Sequence, residues 1–181
     1  MKEGRNMKVI FCDVDGVLNN MEQLYRDEAF DPRCINRLVN LVRDTGARVV
    51  LSSSWRCIPQ ALKKVMDTLA KHDVFLYSIT EEGIFFDRFK NTPWQDIEPC
   101  LKFYQEQGKN FDRGAEIAAW LMDNATVDEP ISFVIFDDEA EDIRPYFPNH
   151  LVRTLFSKGL TDNDVDAAKK VLETEQPFSL K

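Results

Sequence analysis

The sequence predicts an α/β fold in which a parallel β-sheet is covered by helices on both faces. Short apolar runs alternate with amphipathic helical stretches along the whole chain, the pattern of strand–helix–strand units. Three of those runs end in polar clusters: Val9 to Cys12 in Asp13-Val14-Asp15-Gly16, Arg48 to Leu51 in Ser52-Ser53-Ser54, and Ile131 to Phe136 in Asp137-Asp138. With 181 residues and 44% hydrophobic composition, the chain is long enough for one complete core and short for two full domains.

In the first strand, alternate residues share a face, so Asp13 and Asp15 project together from its carboxyl end if the extended geometry persists. Carboxylates placed like this call for a cation, a proton or a reaction. An isolated pair is equally well read as solvated acids at a strand end; the clusters on the other strands favour a site.

Asp31 as N-cap, Pro32 in the first turn, the stripe Ile35, Leu38, Val39, Val42 and a closing Gly46 predict the first long helix. Strand two is Arg48 to Leu51. Pro59 followed by Leu62, Val65, Met66 and Leu69 predicts the next helix, and Val74 to Ile79 the third strand. A helix begins near Arg113 with Ile117, Trp120 and Leu121 on its apolar face. A cation in a helix's first turn opposes the helix dipole, so Arg113 there points to an anion to be bound. Strand four is Ile131 to Phe136, strand five about Leu151 to Leu155, and Thr161 to Asp164 caps a last helix carrying Val165, Ala168 and Leu172.

Bulk properties narrow the function. The net charge of −8 gives no global field for a polyanion, although a short phosphorylated end entering a locally basic, cation-bearing pocket remains compatible with it. Cys12, Cys34, Cys57 and Cys100 are scattered without metal-ligand spacing, which predicts reduced, mostly packed thiols. No apolar stretch reaches the length of a signal-peptide core or a membrane span, so a cytoplasmic protein without a membrane partner is expected. His72 and His150 lie outside every motif and receive no role.

The series Asp-Val-Asp-Gly-Val-Leu-Asn, Leu-Ser-Ser-Ser-Trp-Arg, Arg-Gly-x-Glu-Ile-x-x-Trp-Leu and Phe-Asp-Asp-Glu resembles the four motifs of the haloacid dehalogenase-like (HAD) phosphohydrolases. Its wording is most similar to the small HAD domains associated with RNA-repair proteins. The resemblance implies a Rossmann-like three-layer sandwich with a five-stranded parallel sheet in the order 5-4-1-2-3, and a small cap or none. That order agrees with a requirement of the residues themselves: Asp13, Ser52 and Asp137 share a site only if strand one lies between strands two and four, beside a topological switch point.

It also implies a phosphomonoester hydrolase working through an aspartyl-phosphate, with Asp13 as nucleophile and Asp15 as acid and base. Ser52, ranked ahead of Ser53, and Arg113 would hold the phosphate, with Lys109 the rival to Arg113 because lysine is common there in the family. Mg²⁺ would be held by Asp13, the main-chain carbonyl of Asp15, and Asp137 or Asp138. The implied substrate is a phosphorylated small molecule or a nucleic-acid 3′-end, and no stable protein partner is inferable. A catalytically idle binding module is the alternative. A signalling receiver has its acceptor aspartate after strand three, where this chain has Ile79-Thr80, and a mutase needs a larger cap than Asn19 to Gly46 allows.

The chain is expected to form one HAD-like domain over 1–181, with two stretches beyond the minimal scheme. Asn19 to Phe30 corresponds to a short flap in the family; Tyr25 and Arg26 there are read as solvated rather than substrate-contacting. About 81–110 is a possible small lid, whose aromatics are better explained as a satellite core and whose Arg88 and Lys90 are substrate-selecting cations. Trp55 is expected to pack, and Glu141 and Asp142 either orient a metal's water or cap a turn.

Overall fold

The structure, a computed structural model, describes residues 6–80 and 112–180. The expectations for the 81–110 insertion, for Arg88 and Lys90, for Cys100 and for Lys109 lie outside the described residues. Five strands, β1 (Met7–Cys12), β2 (Arg48–Leu51), β3 (Leu76–Ile79), β4 (Ile131–Asp137) and β5 (Leu151–Arg153), form one sheet in the order β3-β2-β1-β4-β5. Every pairing is parallel, and the order is the expected one read from the other edge. The Rossmann-like architecture is therefore the one adopted.

The helices are α1 (Met21–Arg26), α2 (Pro32–Thr45), α3 (Pro59–Ala70), α4 (Arg113–Asn124) and α5 (Asp162–Thr174). Their ends are set by the predicted chemistry. Asp31 accepts a hydrogen bond from the Arg33 N–H, and Gly46 closes α2 in the left-handed region at φ 69°. Thr161 and Asp164 form a reciprocal capping box at α5.

Two cores follow from burying both faces of the sheet. Ile10 and Cys12 face one core together with Leu38, Val49, Leu51, Val134 and Leu172. Val9 and Phe11 face the other, against Ile117, Trp120, Leu121 and Phe133 of α4 and β4. All seven residues of β4 are buried, which is why it reads as an unbroken apolar run rather than an alternating one.

Two strands are shorter than the apolar pattern indicates. The N–H of Val74 is taken by the Leu69 carbonyl in closing α3, so β3 starts at Leu76. Leu155 accepts from Lys158 and Gly159 in a turn, so β5 stops at Arg153. No helix among the described residues is long and apolar enough to cross a membrane.

His150 has a structural place after all. Its ring stacks on Phe133 with centroids 3.9 Å apart, and Nδ1 lies 2.9 Å from the Phe133 carbonyl. Burial holds its pKa below the ordinary 6.5. The unfolded chain thus takes up the proton first, and the stability His150 contributes is present above that value and lost as pH falls through the lowered one. His150→Phe is expected to flatten the acid-side decline of unfolding free energy between about pH 7 and 5, measured by chemical denaturation.

Candidate active site

Hydrogen bonding between strands continues one residue past their ends and fixes the carboxyl edge of the sheet. The Asp13 N–H donates to the Phe136 carbonyl (3.0 Å), Ser52 N–H to Cys12 (2.9 Å), Thr80 N–H to Leu51 (3.0 Å) and Thr154 N–H to Asp137 (3.0 Å). This registration delivers the first motif between the second and the fourth, as the shared-site argument required.

Carboxylate oxygens of Asp13, Asp137 and Asp138 lie within 4.8 Å of one another. Burial and the Asp13 charge push the Asp137 carboxyl up to about 8. Burial also raises Asp13 to about 6, opposed by hydrogen bonding from the Ser53 hydroxyl, the Arg113 charge and the Val14 N–H, and it raises Asp138. Three oxygen ligands that repel one another are stabilised by a divalent cation. Hard carboxylate donors of this kind fit Mg²⁺.

Gly16 shapes the wall of this group. It sits at φ +68°, and a Cβ built on it would stand 2.5 Å from the Asp138 carboxyl carbon. Only a glycine at this turn lets Asp138 approach the first motif.

Arg113 arrives at the same edge from α4. Asp112 caps that helix by accepting from the Ala115 N–H (2.7 Å), and the Tyr146 hydroxyl donates to its other oxygen (3.0 Å). Arg113 Nη1 is buried with no hydrogen-bond partner and stands 3.7 Å from Glu116. A cavity of about 190 Å³ is lined by Asp13, Arg113, Glu116, Asp137, Glu139 and Asp142. One cation, Arg113, and five acids line this small cavity, and so acidic a wall suits a phosphoryl group only with a metal bound beside it.

The hydroxyl cluster divides its duties. The Ser53 hydroxyl is the one on Asp13, and it also accepts from the Trp55 N–H at 3.4 Å. Ser52, 1% exposed, has an Oγ without a hydrogen-bond partner, as do Thr80 and Thr154 at the ends of β3 and β5. The structure thus brings the second-ranked serine to Asp13 and leaves the first-ranked one with an unused hydroxyl.

Asp15 lies apart from the three-acid group. Its Oδ1 accepts from Asn19 Nδ2 (2.8 Å) and its Oδ2 from Trp55 Nε1 (2.9 Å), while Asn19 Oδ1 accepts from the Gly16 N–H (3.0 Å). Trp55 does pack, with its ring 5.5 Å from Phe30, but its indole N–H also fixes Asp15. The four-residue spacing of Asp15 and Asn19 was the available signal for half of this clamp; nothing local marked Trp55.

A second unpredicted feature is a buried ion pair. Arg56 Nη2 and Glu116 Oε1 are 2.7 Å apart with side chains 3% and 1% exposed, and Arg56 Nη1 donates to the Ser53 carbonyl at 2.5 Å. The pair ties the short 3-10 turn Ser54–Cys57, which follows β2, to α4. Cys12 is fully buried, its Sγ donating to the Asp13 carbonyl, and burial pushes its thiol well up, so it is held neutral. Tyr25 is 83% exposed on α1, and Arg26 pairs with Glu22 on the same helix. Glu141 Oε2 accepts from the Ala140 N–H, and the Asp142 carbonyl accepts from the Gly114 N–H.

A doubly wound parallel sheet with an acid-rich, arginine-bearing cleft at its switch point defines the HAD-like class of domain. The chain belongs to the family described as the HAD domain in Swiss Army Knife RNA repair proteins, which matches residues 9–165. That membership assigns it phosphatase activity of the broad HAD kind. No curated protein and no solved structure matches the chain.

Proposed function

We propose that the protein is a Mg²⁺-dependent phosphomonoester hydrolase that works through an aspartyl-phosphate on Asp13. The observation that supports this best is the convergence of Asp13, Asp137 and Asp138 within 4.8 Å, together with Arg113 at the same edge, whose Nη1 makes no hydrogen bond. Mg²⁺ would be held by Asp13, the main-chain carbonyl of Asp15, and Asp137 or Asp138, and would supply charge neutralisation.

Arg113 and the Ser52 hydroxyl, which has no partner, hold the phosphoryl oxygens, while the Ser53 hydroxyl donates to Asp13. The Asp13 carboxylate attacks phosphorus in line as the ester oxygen departs. Asp15, held by Trp55 and Asn19, gives that oxygen a proton and later takes one from the water that opens the aspartyl-phosphate. Holding both Asp15 oxygens restricts its rotation and keeps it aimed at the departing group.

The family's description supports an RNA end as the substrate. A terminal phosphate fits the small Arg113 cavity, and the chain's net negative charge disfavours extended contact with the rest of the strand. The test is phosphate release from a panel of sugar phosphates, nucleotides, phosphopeptides and 3′-phosphorylated oligonucleotides, with and without Mg²⁺. Turnover of the oligonucleotide end no better than that of an unrelated small phosphomonoester counts against the RNA-end assignment.

Gly16→Ala is expected to push Asp138 away, since the added methyl overlaps its carboxyl group and the backbone is left-handed there. The apparent Mg²⁺ affinity in the phosphatase assay should fall by about 10- to 100-fold. An unchanged Mg²⁺ dependence would remove Asp138 from the ion's surroundings.

A further inference from the structure

The buried ion pair of Arg56 and Glu116 lies between two groups that serve the phosphoryl centre. On one side, Arg56 Nη1 donates to the Ser53 carbonyl, and the hydroxyl of the same serine bonds Asp13. On the other, Glu116 Oε2 stands 3.7 Å from Arg113 Nη1, one helical turn back along α4. Asp13, Arg113 and Glu116 line the same cavity of about 190 Å³. The contacts therefore run in a chain from Asp13 through Ser53, Arg56 and Glu116 to Arg113, whose charge acts back on Asp13.

Holding a short turn against a helix does not call for charges. Well-packed apolar residues in place of a buried ion pair are commonly as stable or more so, so the pair is a poor choice if its sole task is to join Ser54–Cys57 to α4. What an apolar pair cannot do is act on a third charge.

Arg113 is that charge. Its side chain is long, rich in rotamers and 22% exposed, and the other residues lining its cavity are all acids. Left to itself, the guanidinium would be drawn onto Asp13 and Asp137, the carboxylates a metal would share. Glu116 holds one nitrogen of the fork back: Nη1 is buried beside it and makes no hydrogen bond. Alone, Glu116 would cancel the charge that Arg113 offers an anion. Arg56, 2.7 Å from the other carboxylate oxygen, sets two cations against one acid, so the three groups together stay positive.

We propose that Arg56 and Glu116 are positioning residues that act on phosphoryl transfer through Arg113: they fix the aim of its guanidinium, keep it from closing on Asp13 and Asp137, and leave its charge for the phosphoryl oxygens. The inference rests on the phosphatase reading for the reaction served, while the placing of Arg113 is read from the contacts alone.

The first test needs no turnover. Nitrogen-15 relaxation of the Arg113 Nε–H bond in the full chain, its resonance identified by its loss in Arg113→Ala, reads how tightly the side chain is held. Glu116→Gln keeps the shape and an acceptor for Arg56 but drops the charge that holds Arg113. Arg56→Lys keeps a cation but not the fork that meets Ser53 and Glu116 together. The order parameter should fall from the rigid to the flexible range in both variants, each first shown to unfold cooperatively. The second test is a cycle on kcat/KM for para-nitrophenyl phosphate with Mg²⁺. Glu116→Gln should lower it by about 10- to 100-fold when Arg113 is present, and by less than about twofold when Arg113 is already alanine. A residue that only supports the fold costs the same in both backgrounds.

A wild-type Nε–H already in the flexible range, or one unchanged in both variants, overturns the proposal. Equal losses of kcat/KM in the two backgrounds overturn it as well. Loosening of Arg113 in the variants, with no phosphomonoester turned over by the wild type, overturns the phosphatase reading and leaves the positioning of Arg113 standing.

Discussion

Asp13→Asn is expected to reduce phosphate release by at least about a thousandfold, the scale seen when a covalent nucleophile is removed, without loss of folding. The amide is nearly isosteric with the carboxylate, keeps its place beside Ser53, and cannot form a hydrolysable acyl-phosphate. It also removes a buried carboxylate that repels its neighbours. Burial and the Asp13 charge together raise Asp137 to about 8, so relieving that repulsion should leave thermal stability in metal-free buffer equal to or above wild type. Mg²⁺ should then stabilise the wild type more than the variant, because binding to the native state alone adds stability by mass action. Loss of activity accompanied by a lowered melting temperature would instead indicate a structural role for Asp13.

Arg56→Leu is expected to lower the unfolding free energy by about 3–5 kcal/mol, the usual cost of leaving one partner of a buried pair alone. That is a large part of the roughly 5–15 kcal/mol that holds a domain of this kind together. The substitution strands Glu116, 1% exposed, with the more distant Arg113 at 3.7 Å, and frees the Ser53 carbonyl that Arg56 anchors. The double variant Arg56→Leu with Glu116→Leu should recover most of the loss, since it removes the buried carboxylate as well. Chemical denaturation of the two single variants and the double variant measures the coupling directly. A single-variant loss below about 1 kcal/mol would show that the clasp is solvated.

Strand order and the meeting of Asp13 with Asp137 were legible because strand ends in a parallel sheet are positioned by pairing alone. Asp31, Gly46 and Thr161 were legible because caps are local chemistry. The serines were not resolved, since Ser52, Ser53 and Ser54 leave the strand in a turn where alternation no longer tells which hydroxyl meets Asp13. Trp55 on Asp15 and Arg56 on Glu116 were illegible for a different reason. Each joins distant segments through side chains, and Glu116 reads along the chain as an ordinary first-turn acid of α4.

The most direct test is to quench wild-type protein in acid during turnover of a phosphomonoester with Mg²⁺, digest it, and identify the modified peptide by mass spectrometry. A phosphoryl group is expected on the peptide carrying Asp13, removed by hydroxylamine and missing from Asp13→Asn. Full turnover with that peptide never modified, or with the phosphoryl group on another residue, would contradict it.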